Sequence, residues 1–105
     1  MFTMTDTDVK TPTKQKTKTV VQEPGKYNII YMNDDVTTQE FVALTLVSIF
    51  NYSDIDAEEI TMKIHHEGSA VVATLSYELA EQKGIEVTVL ARNHGFPLAV
   101  KIEQE

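Results

Sequence analysis

The sequence predicts one small domain of mixed helix and strand, with its elements in the order β-α-α-β-α-β. Three observations carry this. Short runs of β-branched, aromatic and apolar residues recur at positions 27–32, 70–75 and 98–102. The stretches between them open on helix-start signals and continue with apolar residues at helical spacing. A chain of 105 residues suits a single hydrophobic core and leaves no room for two.

Taken in order, Tyr27-Asn28-Ile29-Ile30-Tyr31-Met32 reads as a strand that ends in the polar cluster Asn33-Asp34-Asp35. Thr37 and Glu40 form a capping box ahead of Phe41, Val42, Leu44, Leu46, Val47, Ile49 and Phe50, a first helix that is apolar over a broad face. Asn51-Tyr52-Ser53 interrupts it. Asp56-Ala57-Glu58-Glu59 offers a second capping box before Ile60 and Ile64, four apart on one face, and Gly68 stands where a helix commonly ends in a left-handed residue. Ala70 to Leu75 is short and apolar, as a buried strand would be, and Ser76 can cap the next element.

The stretch from Tyr77 to Gly95 has two patterns. Tyr77, Ala80, Gly84, Val87, Leu90 and Ala91 follow helical spacing, whereas residues 85–89 alternate as a strand would and Gly84 would weaken a helix by about 1 kcal/mol. Its length favours a helix. Leu98 to Ile102, after Pro97, makes a final strand.

Composition removes several function classes. Sixteen acidic residues against nine basic ones give a net charge of −7, the wrong sign for neutralising nucleic-acid phosphates or an anionic membrane surface. The charge is divided: in residues 1–26 five lysines outweigh three acids, for +2, while the remainder carries four cations and thirteen acids, for −9. That first segment is rich in Thr and Lys and poor in large apolar residues, so it reads as a disordered arm ahead of a folded domain at 27–105. Asp6, Asp8 and the scarcity of Arg and Ser argue against a transit peptide; a segment fed into a partner is the other alternative. No apolar run is long enough to span a bilayer, and the first residues lack a secretory h-region. With no cysteine there is no disulfide framework, thiol nucleophile or thiolate zinc site, and a reducing, cytoplasmic compartment fits.

The polar cluster Asn33, Asp34, Asp35 admits three readings. It can be a simple turn, since Asn and Asp bond their own backbone. It can be a metal or phosphoacceptor site, although the later strands end in Leu75-Ser76 and Ile102-Glu103 and supply no matching set. It can also be a cation pocket, in which an amide oxygen and carboxylates accept hydrogen bonds from an ammonium group. His65 and His66 are neighbours on a helix and point about 100° apart, so they do not chelate one metal; they complement the helix dipole or provide a neutral imidazole acceptor. No Ser or His pattern suits nucleophilic catalysis. On the residues alone catalysis is thus a minor reading, and no cofactor is expected.

The block from Tyr27 to Val42, Tyr-x-Ile-Ile-Tyr-Met-Asn-Asp-Asp-x-Thr-x-x-Glu-Phe-Val, resembles the ClpS family, adaptors of the bacterial ATP-dependent Clp protease. The resemblance continues through Ile64-His65-His66-Glu67-Gly68, through residues 78–83, and through Ala91-Arg92-Asn93-His94-Gly95-Phe96-Pro97-Leu98. It implies an α+β fold, a small α/β sandwich in which a three-stranded antiparallel sheet packs against three helices, preceded by a disordered N-terminal arm. It also decides Tyr77–Gly95 in favour of helix.

The function it implies is capture of N-degrons, proteins whose free N-terminal residue is bulky and apolar (Leu, Phe, Tyr, Trp), and their delivery to a ClpA- or ClpC-type unfoldase. Matched residue by residue, Asn33, Asp34, Asp35 and His65 would hold the α-amino group. Its three N–H donors would be costly to bury unpaired, so about three acceptors are needed. Because His65 accepts only while neutral, binding should weaken as it takes up a proton at lower pH. Thr37, Gln39, Val42, Thr61, Ile64 and Leu98 would line the side-chain pocket. Well-known members carry methionine at the Gln39 and Thr61 positions, so two flexible apolar walls become polar and the residue preference is expected to be altered or narrower. Glu78 and Lys83 would contact the N-terminal domain of the unfoldase, and on residues alone they belong to a solvated helix face. The family expectation is a monomer in the bacterial cytoplasm, a plastid being the lesser alternative. Two rival readings stand beside this one. One is a docking module resembling the ribosomal-stalk C-terminal domain; the other is a metal-dependent hydrolase using Asp34, Asp35 and His65.

Overall fold

A computed structural model describes residues 25–105. The expected disordered arm, apart from its last two residues, lies outside the described residues. Six elements follow in the order expected: β1 (Lys26–Met32), α1 (Gln39–Phe50), α2 (Asp54–Glu67), β2 (Ser69–Ser76), α3 (Tyr77–Asn93) and β3 (Ala99–Gln104). The strands form one antiparallel sheet with β1 in the middle, between β2 and β3. The fold is α+β, a three-stranded antiparallel sheet with three helices, as the family resemblance implied.

The register explains which residues face the helices. Tyr27, Ile29 and Tyr31 of β1 lie opposite Gln104, Ile102 and Val100 of β3, so alternate residues of both strands share one face. Against β2 the pairing runs Tyr27 with Leu75 and Ile29 with Ala73, then shifts, so that Tyr31 pairs with Ala70. Val72 is the extra residue, a bulge that keeps Ala70, Val72, Ala73 and Leu75 all packed on the core. The Tyr52 hydroxyl donates to the Val72 carbonyl at this bulge.

Helix α3 packs against all three strands, α2 against β2, and α1 against α2 and α3. The core is formed by Ile29, Tyr31, Phe41, Val42, Leu46, Ala57, Ile64, Val72, Ala80, Val87, Ala91 and Leu98. Tyr31 and Thr45 are both 0% exposed and their hydroxyls are 2.7 Å apart. Thr45 in turn donates to the Val42 carbonyl at 2.8 Å, so it is Tyr31 that donates to Thr45. Burial pushes the Tyr31 hydroxyl pKa well above the usual tyrosine value, against the smaller opposing effect of that hydrogen bond.

The ambiguous stretch is helical from Tyr77 to Asn93. Its buried residues, Ala80, Gly84, Val87 and Ala91, recur every three or four positions, while Ile85 and Val89 are exposed. A strand would have placed residues 85, 87 and 89 on one face. Gly84 marks close approach to β3: a Cβ there would stand 3.4 Å from Ile102 Cδ1 and 3.8 Å from Val100 Cγ1. One methyl just fits. Gly84→Ala is therefore expected to raise stability by up to about 1 kcal/mol through helix propensity, and Gly84→Val to lower it by displacing β3. Urea unfolding of both variants checks this; a destabilised alanine variant would contradict the spacing.

Helix boundaries differ from the sequence expectation in two places. The N-cap of α1 is Thr38, whose side chain accepts from the Phe41 N–H at 3.1 Å, and not Thr37. Thr37 is drawn away by Asp34, as described below. Helix α2 starts at Asp54 with Ser53 as N-cap, its Oγ accepting from the Asp56 N–H at 3.1 Å, so Asp56 lies inside the first turn and is not the cap. Asn51 closes α1 in the left-handed region at φ 63°, and Gly68 closes α2 at φ 89°. Ser76 holds the N-cap position of α3 without a side-chain capping bond. The last strand starts one residue after Leu98, which is buried.

Candidate functional site

The site forms where β1 ends and α1 and α2 meet. Strand β1 delivers Asn33, Asp34 and Asp35 into the connection to α1. The N–H of Asn33 donates to the carbonyl of Gly68 at 2.9 Å, which fastens this connection to the end of α2, three residues from His65. Gly68 can serve there because it takes a positive φ at little cost, and its own N–H caps the Ile64 carbonyl at 2.9 Å.

Asp34 organises the connection. Its Oδ1 accepts from the backbone N–H of Val36 at 2.8 Å and of Thr37 at 2.7 Å, and its Oδ2 accepts from the Thr37 hydroxyl at 2.8 Å. Partial loss of solvent opposes the Asp34 charge, but these bonds and the positive field of Arg92 outweigh it and hold the carboxyl below its usual value. A carboxylate offers about four lone-pair directions, so three are spent on the loop and about one remains for a ligand. The turn reading and the pocket reading of this cluster are thus compatible.

Nine of the ten residues assigned from the sequence to the amino-group and side-chain sites line one cavity of about 270 Å³: Asn33, Asp34, Asp35, Thr37, Gln39, Val42, Thr61, Ile64 and His65. Three separate elements supply them. The tenth, Leu98, is 1% exposed and belongs to the core. It is positioned by Arg92, whose Nη1 donates to the carbonyls of Phe96 at 2.9 Å and Leu98 at 3.1 Å. Sequence reasoning gave Arg92 no role, although a basic residue in the last turn of a helix is a recognised partner for nearby carbonyls.

The two departures from the methionine pattern have different characters. Thr61 is 5% exposed, and its hydroxyl donates to the Ala57 carbonyl at 2.7 Å, so its donor is satisfied inside its own helix. Gln39 is exposed at the start of α1. The polarity expected from both positions therefore falls mainly on Gln39. Both residues also line a second, larger groove of about 730 Å³ between α1 and α2.

Glu78 and Lys83 both lie on α3. Glu78 is exposed in its first turn. The Lys83 ammonium is half-buried and donates to the Ile49 carbonyl at 3.0 Å. Helix α1 has no basic residue in its own last turn, so Lys83 supplies the positive charge that its C-terminal carbonyls favour. His65 and His66 occupy the last turn of α2, their rings 5.3 Å apart and edge-on. Among the described residues no group of three or more His, Asp or Glu is placed to hold a metal ion, and no helix is long and apolar enough to cross a membrane.

Comparison with known proteins bears on family and fold. Residues 22–101 match the family model described as ATP-dependent Clp protease adaptor protein ClpS. The ClpS adapter protein of Treponema denticola is 42% identical over 82 residues, covering 78% of this chain and 81% of that protein. The ClpS adapter protein of Roseobacter denitrificans is 40% identical over 100 residues, covering 95% of this chain and 85% of that one. A solved structure of Agrobacterium tumefaciens ClpS2 bound to L-phenylalaninamide superimposes with a TM-score of 0.77 at 37% identity, over 79% of this chain and 100% of that chain. The chain belongs to the ClpS family of adaptor proteins of the ATP-dependent Clp protease.

Proposed function

We propose that this protein captures substrates through a free, bulky apolar N-terminal residue and delivers them to a ClpA- or ClpC-type unfoldase, without itself catalysing a reaction. The observation that carries this reading is the convergence of Asn33, Asp34, Asp35 and His65 on one cavity whose remaining walls are Thr37, Gln39, Val42, Thr61 and Ile64. An amide oxygen, carboxylates and an imidazole at one end suit an α-ammonium, which needs several acceptors and gains from negative charge. Val42 and Ile64 at the wall suit an apolar side chain. The Agrobacterium relative carries L-phenylalaninamide, a molecule with a free α-amino group and an aromatic side chain, which supports the same pairing of needs here. Leu98, buried behind the Arg92 clamp, would act by supporting the apolar wall.

The site rejects internal residues on the same physics. A peptide nitrogen has one donor and no charge, so the acceptors would remain unpaired in a partly dehydrated cavity. Glu78 is the exposed half of the proposed unfoldase contact on α3; the Lys83 ammonium, engaged with Ile49, would hold the α1 end in place beneath that contact. A monomer acting in the bacterial cytoplasm is consistent with this role.

The test is a titration with labelled peptides that begin with Leu, Phe, Tyr, Trp, Met or Arg, each with a free or an acetylated N-terminus. Acetylation is expected to weaken binding by about a hundredfold or more, since it removes the charge and all but one donor. Equal affinity of free and acetylated peptides would show that the cavity does not recognise an α-amino group.

A further inference from the structure

Gln39 and Thr61 line both the proposed α-amino cavity and the larger groove between α1 and α2, and among the described residues they alone are common to the two. They form the partition between them. Thr61 is a short side chain whose hydroxyl is tied back to Ala57, and Gln39 is an exposed, flexible one. Neither is a bulky apolar stop.

Beyond the partition the groove is floored by Ala43, Val47 and Ala57, and its charged lining residues are Glu40, Asp54 and Glu58. No cation lines it. A side chain that enters from the amino-group cavity thus meets a groove lined by both apolar surface and carboxylates, with the Gln39 amide at the partition. A Leu or Phe side chain reaches the partition and gains nothing from the acids. An aliphatic stem ending in a cation matches both parts, because Lys and Arg bury their methylenes while keeping the charged head beside acceptors and water.

We infer that this chain also accepts N-terminal arginine and lysine, the side chain passing Gln39 and Thr61 so that its cationic end lies in the acid-lined α1–α2 groove. The inference rests on the N-degron reading, because it places the α-ammonium in the same cavity. The contacts with Glu40, Asp54 and Glu58 are solvent-accessible ion pairs, so their effect is selective more than strong.

The experiment compares otherwise identical peptides beginning with Arg, citrulline, Lys, norleucine or Leu, and a Leu peptide with Arg or citrulline in second place, against the full chain and its Glu58→Gln and Asp54→Asn variants. Citrulline keeps the length of arginine and removes its charge, and norleucine keeps the four side-chain carbons of lysine without the ammonium. The expected result is that first-position Arg binds about threefold to tenfold better than citrulline, and that the Arg-to-Leu affinity ratio falls about threefold in either variant and in high salt. The second-position pair measures what the general acidic field contributes to any nearby cation. If Arg binds no better than citrulline, or gains no more at the first position than at the second, the groove assignment is overturned while Leu binding leaves the N-degron reading intact. If no peptide with a free N-terminus binds, the N-degron reading itself fails and takes this inference with it.

Discussion

Asp34→Ala is expected to weaken binding of a Phe-initiated peptide by about a hundredfold, the largest effect of any single substitution at the site. The residue does two things at once. Its carboxylate gathers the N–H groups of Val36 and Thr37 and the Thr37 hydroxyl, and so sets the course of the chain from Asn33 to the start of α1. It also supplies negative charge next to the proposed ammonium. Asp34→Asn separates the two roles, because its amide oxygen can still accept from both backbone groups while the charge is gone. It should lose about tenfold and keep the loop ordered. Fluorescence anisotropy measures the affinities; an alanine variant that binds as well as the parent would show that the loop is held by something else. The pH dependence follows in sign. The folded-state pKa of Asp34 is lowered, so its contribution to stability is fully present above the unfolded carboxylate value and is lost as pH falls through the depressed folded value. The loop should therefore remain intact in mildly acidic solution.

Thr45→Val is expected to cost about 1–3 kcal/mol of stability, which in a domain of this size lowers the melting temperature by about 4–8 °C per kcal/mol. The side chains are nearly the same in shape, so the loss comes from polarity. The Tyr31 hydroxyl, at 0% exposure, would keep its proton and have no acceptor. Adding Tyr31→Phe removes the orphaned group, and the double variant should recover most of the loss. Thermal unfolding of the two single variants and the double variant closes the cycle. If the double variant is as unstable as the sum of the singles, the pair is not coupled as the 2.7 Å distance implies.

Element order was legible in the sequence because it is written in short, contiguous patterns; the residues proposed for the amino-group and side-chain sites came from the family resemblance, and all but Leu98 line one cavity. The expected caps lay one position (Thr37 for Thr38) and three positions (Asp56 for Ser53) from the observed ones, and Asn33-Asp34-Asp35 is unbroken in the chain. What escaped depends on which of several possible side-chain bonds is made, some of them local and one distant in the chain. Thr37, with Glu40 three residues on, is the better cap on paper, and its hydrogen bond to Asp34 leaves Thr38 to cap the helix. Ser53 with Asp56 three residues on was a readable capping signal that the stronger-looking acidic run displaced. The bulge at Val72 leaves no mark in an apolar strand. The reach of Lys83 to Ile49 joins residues brought together by packing, so on residues alone its charge read as ordinary surface, while Arg92 reaches Leu98 around a single turn and was given no role.

The bond from the Asn33 N–H to the Gly68 carbonyl bears on the timing and entropy of capture. It joins the two sides of the cavity, one carried by the loop after β1 and the other by α2, through main-chain atoms that no side-chain substitution removes. With both sides fixed before a ligand arrives, few internal rotations remain to be frozen on contact, so more of the interaction energy is retained as affinity. An adaptor must also release what it holds. A preformed receptor can pass its cargo on without first rearranging, and in the proposed role residence time is then set by the contacts with one terminal residue.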